Sequence, residues 1–290
     1  MKFEKKSGLQ EEKNMGYKLI ASDMDETLLN DNHEICQRNI EMIKKAKEKY
    51  GVKFVPATGR GYASIQHDLI TLDLYDIPGE YVISLNGGAL TENRGNKMVQ
   101  FKGLEFDKMK QIFEYGLTKE VCIHVYTKDK VYVYNLSQSE KERIENQKVD
   151  CIIMDENTVD FLKDEKIAKI LYQNTDVPYL MSLEEPMKLI TEGCAVSYSS
   201  NRYMEFNSIG VDKGQGLIDL AKLLGIDIKD TIAVGDNYND LSMLEVAGLS
   251  VAARNAVDDV KKICDYVANA DNNEGVVAEA IEKFIFNNEK

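Results

Sequence analysis

The sequence predicts an α/β protein built on a mostly parallel, doubly wound sheet, with an α+β module inserted into it. Three observations predict this. Residues 17–88 alternate short apolar segments with amphipathic ones in the order β-α-β-α-β. The same texture returns at about residue 209 and runs to residue 290. Each strand-like segment of the first stretch ends in small or polar residues, SDMDET, TGR and NGG, and in open Rossmann-like sheets those carboxyl ends carry the ligand.

Each element follows in order. MKFEKKSGLQEEKNMG, residues 1–16, is polar and lacks the apolar core of a secretory signal, so it reads as a flexible leader in which Met15 offers an alternative start. YKLIAS is a strand, QRNIEMIKKAKEKYG a helix, VKFVPATGR a strand and turn, a helix starts near Tyr62, and YVISLNGG is a third strand. Their near-continuous apolar character fits burial on both faces. Residues 89–208 differ. KGLEFDKMKQIFEYGLTKE is helical, VCIHVYTKDKVYVYN a hairpin, SQSEKERIENQ a helix, CIIM and KIAKILYQ short strands, and AVSYSSNRYMEFN a hairpin turning near Ser200 and Asn201. Tyr126, Tyr132, Tyr134, Tyr198 and Tyr203 fall on strands there and read as sheet packing. DKGQGLIDLAKLLG then forms a helix closed by Gly225, and TIAVGDNYNDLSMLEVAG a strand, acidic loop and helix. Segments 17–88 and 209–290 are expected to share one sheet.

Composition bounds the function. The chain has 290 residues, enough for one large domain or two ordinary ones, and no apolar run long enough to cross a bilayer. Its five cysteines are scattered, odd in number and without a CxxC pair, which points to plain thiols in a reducing cytoplasm. A net charge of −13 disfavours nucleic acid or an anionic membrane as partner. An anionic substrate then needs a bound cation and converging Lys or Arg residues.

The acids at the strand ends supply the chemistry. Asp23 and Asp25 close the first strand, and could be helix caps or a solvated turn. Asp236 and Asp240 follow a second apolar strand, with Gly235 permitting a tight approach and Asn239 adding an amide. Two such clusters on one sheet edge are hard to explain as caps. Unpaired carboxylates brought together repel and take up protons. Oxygen donors at this density suit a hard divalent cation such as Mg²⁺, which binds one or two carboxylates plus water and substrate phosphate. Thr58-Gly59-Arg60 offers a hydroxyl and backbone N–H groups to phosphoryl oxygens, and Lys213 a point charge at a helix start.

In chain order these motifs, Asp-x-Asp-x-Thr, Thr-Gly-Arg, Lys and Gly-Asp-x-x-Asn-Asp, resemble the haloacid dehalogenase superfamily. More closely, the chain resembles its Cof-type (subfamily IIB) phosphatases, in which an α+β cap is inserted between the second and third motifs. The tail, Val-Ala and Asn-Ala followed by Asn-Asn-Glu-Gly-Val, fits too. The resemblance implies an inserted cap at 89–208 between core segments 17–88 and 209–290. It implies that Asp23 is the nucleophile, forming an aspartyl-phosphate, and Asp25 the acid and base. Mg²⁺ is implied at a carboxylate oxygen of Asp23, the backbone carbonyl of Asp25, and Asp236, with Asp240 ordering its surroundings. Thr58, Lys213 and Asn239 are implied to hold phosphate, and Gly59, Arg60 and Asn86 to lie on the substrate side. Many members of the family it resembles carry Gly where this chain has Glu26, so the turn must be one that a side chain can enter. The activity implied is hydrolysis of small phosphorylated metabolites, sugar phosphates or phosphorylated cofactors. A phosphomutase with the same machinery, or a phosphoryl-accepting regulatory protein, are the competing readings.

Overall fold

A computed structural model describes residues 16–147 and 149–286. Of the leader expected at 1–16, residues 1–15, Met15 included, lie outside the described residues.

The first strand, β1 (Leu19–Ser22), is followed by α1 (Gln37–Tyr50), β2 (Lys53–Pro56), α2 (Gln66–Thr71) and β3 (Tyr81–Ser84). α1 ends where Gly51 takes the left-handed conformation, φ 65°. The helix foreseen near Tyr62 opens instead as a tight 3-10 turn over Tyr62–Ile65 before α2 begins. β3 turns directly into β4 (Ala89–Glu92) and β5 (Lys97–Phe101), an antiparallel extension.

Next come α3 (Phe106–Gly116), β6 (Cys122–Thr127), β7 (Val131–Tyr134), α4 (Gln138–Gln147), β8 (Ile152–Ile153), β9 (Ile167–Gln173), α5 (Val177–Ser182), α6 (Glu184–Met187), β10 (Cys194–Ser199) and β11 (Tyr203–Ser208). Their strands form one six-stranded sheet in the order β10-β11-β9-β6-β7-β8. Ser200 and Asn201, at φ 50° and 48°, turn the chain within the three-residue connection 200–202 between β10 and β11.

The chain then returns through α7 (Lys213–Leu224), β12 (Thr231–Gly235), α8 (Leu241–Val246), β13 (Leu249–Ala252), α9 (Asp258–Ile263), β14 (Tyr266–Val267) and α10 (Val276–Phe284). The sheet of this part is wholly parallel, in the order β14-β13-β12-β1-β2. The two core segments therefore share one sheet, as expected. From β1 the chain winds outward through β2, and from β12 it winds the opposite way through β13 and β14. The reversal between β1 and β12 is the switch point at which such sheets bind ligands.

Two large apolar clusters follow this division. One gathers Leu19, Ile20, Phe54, Val55, Ile232, Val234, Val251 and Ile281 around the parallel sheet, and Leu90 of β4 belongs to it. The other begins at Leu104 and packs α3, α5 and α6 against one face of the six-stranded sheet, through Ile112, Phe113, Tyr172 and Phe206. Residue 89, where the inserted module was expected to start, thus falls at a strand that continues the core side. Tyr134 and Tyr198 pack with the second cluster, as read from sequence. Tyr126 and Tyr203 point elsewhere: Tyr126 packs with Leu85, Ala89 and Ala168, and the Tyr203 hydroxyl donates to the buried Glu140 at 2.9 Å.

Candidate functional site

The edge where β1, β2 and β12 end collects the acids. β1 pairs in parallel with both neighbours, Ser22 lying opposite Val234 and opposite Pro56. Asp23, Asp236 and Thr58 therefore leave the sheet close together. Each strand stays apolar while covered on both faces and turns polar only where it emerges. Gly235 lets β12 end tight against its own loop, since a Cβ there would stand 2.7 Å from the Asp240 side chain.

After Asp23 the chain makes a wide turn, closed by the Leu29 N–H donating to the Met24 carbonyl at 2.8 Å. Glu26 sits inside it at φ 60°, ψ 9°. The turn is thus left-handed at Glu26, which enters it at a cost of about 1 kcal/mol. Tail residues hold it in place. Asn255 donates Nδ2–H to the Glu26 carbonyl at 2.7 Å, and Asn272 donates to the Leu29 carbonyl at 3.2 Å.

Asp23, Asp236 and Asp240 are all buried, and one oxygen from each lies within 4.8 Å of the others. Lys213 opens α7 with its ammonium fully buried, donating to Asp23 Oδ1 and, at 2.6 Å, to Asp240 Oδ1. The second Asp240 oxygen accepts the backbone N–H groups of Asp236 and Asn237, at 3.0 and 3.1 Å. Both Asp240 oxygens are therefore committed inside the protein, so the residue positions Lys213 and the 236–240 loop. Asp236 accepts the Thr27 hydroxyl on Oδ1 at 2.7 Å. Asp23 and Asp236 each keep one oxygen that accepts no hydrogen bond among the described residues.

The electrostatics follow from this crowding. Burial first, then the Asp240, Asp236 and Asp25 carboxylates, push Asp23 well above the usual carboxylate range, with Lys213 opposing. Burial and then Asp240 push Asp236 up to about 7. Burial works against the Lys213 charge too, but Asp23 and Asp240 outweigh it and hold its pKa above the ordinary value. Buried carboxylates with spare oxygens, driven to take up protons, form a donor set that fits a hard divalent cation. Asp23 and Asp236 would hold it.

Asp25 stands apart from that group. Its carboxylate is clasped by Arg60, Nε donating to Oδ2 at 2.9 Å and the terminal nitrogen to Oδ1. Arg60, expected on the substrate side, thus spends its fork on Asp25. Thr58 is fully buried, and its hydroxyl accepts the Arg60 N–H at 3.0 Å. Gly59 and Asn239 are half-buried on their loops. Asn86, in a left-handed turn at φ 54°, faces the inserted module, donating Nδ2–H to Glu205 of β11 at 3.1 Å. Sequence reading passed over Glu205 and its partner Lys169. Their signal was a lone charge in each of two otherwise apolar strands.

Gly87, next in this turn, has φ +91°, and a Cβ there would come within 2.0 Å of the Asp212 carbonyl that starts α7. Gly87→Ala is expected to destabilise the protein by about 2 kcal/mol or more, read as a lower unfolding midpoint.

Comparison with known proteins agrees with this geometry. The profile of the haloacid dehalogenase-like hydrolases matches residues 20–281. YxeH of Bacillus subtilis (strain 168) is 30% identical over 269 residues, covering 93% of this chain and 98% of that protein. The 5-amino-6-(5-phospho-D-ribitylamino)uracil phosphatase YwtE of the same organism is 30% identical, with 89% and 95% covered. A crystal structure of a haloacid dehalogenase-like hydrolase from Bacteroides thetaiotaomicron superposes with a TM-score of 0.78 at 32% identity, over 92% of this chain and 99% of that one. With an acid cluster at the switch point, a lysine buried among its carboxylates and this match along nearly the whole length, the chain belongs to the haloacid dehalogenase-like hydrolases, in their Cof-type phosphatase branch.

Proposed function

We propose that the protein is a Mg²⁺-dependent phosphomonoester hydrolase of the cytoplasm, acting on sugar phosphates or phosphorylated cofactors through an aspartyl-phosphate on Asp23. The carrying observation is Asp23 itself: a buried strand-end carboxylate bonded to Lys213, with one oxygen uncommitted, beside Asp236. YwtE, named for a small phosphorylated substrate, supports the substrate class.

When bound, Mg²⁺ would supply positive charge against the phosphoryl oxygens. Asp23 attacks the phosphorus in line, its O–P bond forming as the ester P–O bond breaks. Lys213 and the Thr58 turn bind the phosphoryl oxygens, and Asn239 lies on the facing loop. Asp25, released from Arg60 and taking a proton from solvent as substrate enters, gives that proton to the leaving alkoxide. It then takes one from the water that attacks the acyl-phosphate and frees Asp23. The module from about residue 104 to 208 acts as the cap that covers the ester and excludes bulk water.

A panel of phosphorylated metabolites assayed with Mg²⁺ for free phosphate tests this. Inorganic phosphate released with turnover is the expected result. An isomeric sugar phosphate as product would mark a mutase instead. An acyl-phosphate that persists without turnover would mark a regulatory acceptor.

A second expectation concerns stability. Asp236 rises from an ordinary 3.8 to about 7 in the folded state. Between those values the unfolded chain has lost a proton that the folded protein keeps, so rising pH favours unfolding. Metal-free protein should therefore lose stability from this group as pH climbs through that window. Mg²⁺, which needs ionised carboxylates, should raise the unfolding midpoint more at about pH 8 than at about pH 5. Thermal unfolding with MgCl₂ against EDTA checks it, and equal shifts at both pH values would contradict it.

A further inference from the structure

We infer that Asn86 of the core, with Lys169, Glu205 and Asn207 of the cap, forms a leaving-group subsite selective for neutral polyhydroxylated groups over acidic ones. The inference rests on the hydrolase reading above and names what that site selects.

β9 and β11 each turn apolar side chains to the cap's own core on one face, and side chains alternate along a strand. On the other face they bury Lys169, Glu205 and Asn207, which are only 3%, 4% and 3% exposed. Lys169 and Glu205 form an ion pair at 2.5 Å, with the ammonium over the Tyr126 ring. Such a buried pair is no more stabilising than a well-packed apolar one, so stability alone gives no reason for it. Its place does.

Glu205 Oε2 also accepts Asn86 Nδ2–H, and the Asn86 N–H donates to the Thr58 carbonyl at 2.9 Å. The pair is thus one residue removed from the Thr58 turn, where the ester phosphate is placed. Burial opposes the Glu205 charge, yet Lys169 and the Ser199 hydroxyl hold its pKa below the ordinary range, and the Lys213 charge reaches it as well. Gly87, next to Asn86, lies against the Asp212 carbonyl that precedes Lys213, so the subsite adjoins the start of the helix that carries the lysine.

Two acceptors there have no partner. Asn86 Oδ1 and Asn207 Oδ1 are buried and make no hydrogen bond among the described residues. Leaving a buried acceptor unpaired costs about 1–3 kcal/mol. Hydroxyl groups on a leaving group are donors that would satisfy both. A second phosphate or a carboxylate brings only acceptors, and Glu205 already neutralises the Lys169 charge that could attract it. The chemistry therefore matches a sugar or polyol monophosphate and rejects a bisphosphate.

The test compares hexose and pentitol monophosphates, hexose bisphosphates and p-nitrophenyl phosphate, which has no hydroxyl donors. The wild type is expected to prefer at least one hydroxylated monophosphate over both other classes by about tenfold or more in kcat/KM. Asn207→Leu should raise KM for that substrate about tenfold while kcat/KM for p-nitrophenyl phosphate changes little. Glu205→Gln keeps the shape but exposes the Lys169 charge, so discrimination against bisphosphates should fall about tenfold, a gain that misfolding cannot imitate. Parallel losses on all substrates, or no change on any, would overturn the subsite. A wild type active on p-nitrophenyl phosphate without the hydroxyl preference overturns the subsite alone. One inert toward every ester overturns the hydrolase reading with it.

Discussion

Asp23→Asn is expected to lower phosphate release by about 10⁴-fold or more while the protein stays folded. Asn matches the shape of Asp but offers no carboxylate oxygen to attack phosphorus, so the acyl-phosphate cannot form. The fold should tolerate the change because burial and three neighbouring acids already penalise the Asp23 charge. Lys213 keeps Asp240 as a partner at 2.6 Å. Circular dichroism and the metal-free unfolding midpoint should stay near wild type, while free phosphate disappears. A variant that still turns over at a comparable rate would remove Asp23 from the reaction.

Lys213→Met is expected to strike activity and stability together. The lysine has no exposed surface and joins Asp23 to Asp240. Removing it leaves two buried carboxylates without their cation, and breaking a buried pair in this way costs about 3–5 kcal/mol. The loss should be largest at about pH 8 and shrink toward about pH 5, where the orphaned acids take up protons and the charge they must bury disappears. Phosphate release should fall by about 10²-fold or more, since a fixed positive charge at the transferring group is lost. Unfolding midpoints across pH, with a phosphate assay, check both effects. A flat pH dependence would mean that the two carboxylates had relaxed away from one another.

The contrast between these residues and Arg60 shows what a sequence can carry. Strand and helix periodicity records which faces are buried, and that sufficed for β1, β2, β12 and the helices between them. Gly51 and Gly225 at helix ends, and the Ser200-Asn201 turn, follow from local backbone preference and needed no tertiary information. The acids at the ends of β1 and β12 were equally legible, because charge directly after a strand buried on both faces has few structural uses. Pairing was not. Arg60 lies beside Thr58 in sequence, yet its guanidinium closes on Asp25 at the end of a different strand. The cap residues Lys169 and Glu205 show in the sequence only as one charge in each of two strands, which does not tell which face they take or that this face meets the site.

The sequence by itself determined the α/β class, the inserted module and the edge on which the acids gather, since each depends on hydrophobic period and on the order of motifs along the chain. Tertiary structure alone decided which oxygens are spent and which remain. Asp240 gives both of its oxygens to Lys213 and the backbone, while Asp23 and Asp236 each keep one in reserve. That distinction rests on hydrogen bonds that join the loops after β1 and β12 to each other and to the start of α7, whose geometry only the packing of the two core segments fixes.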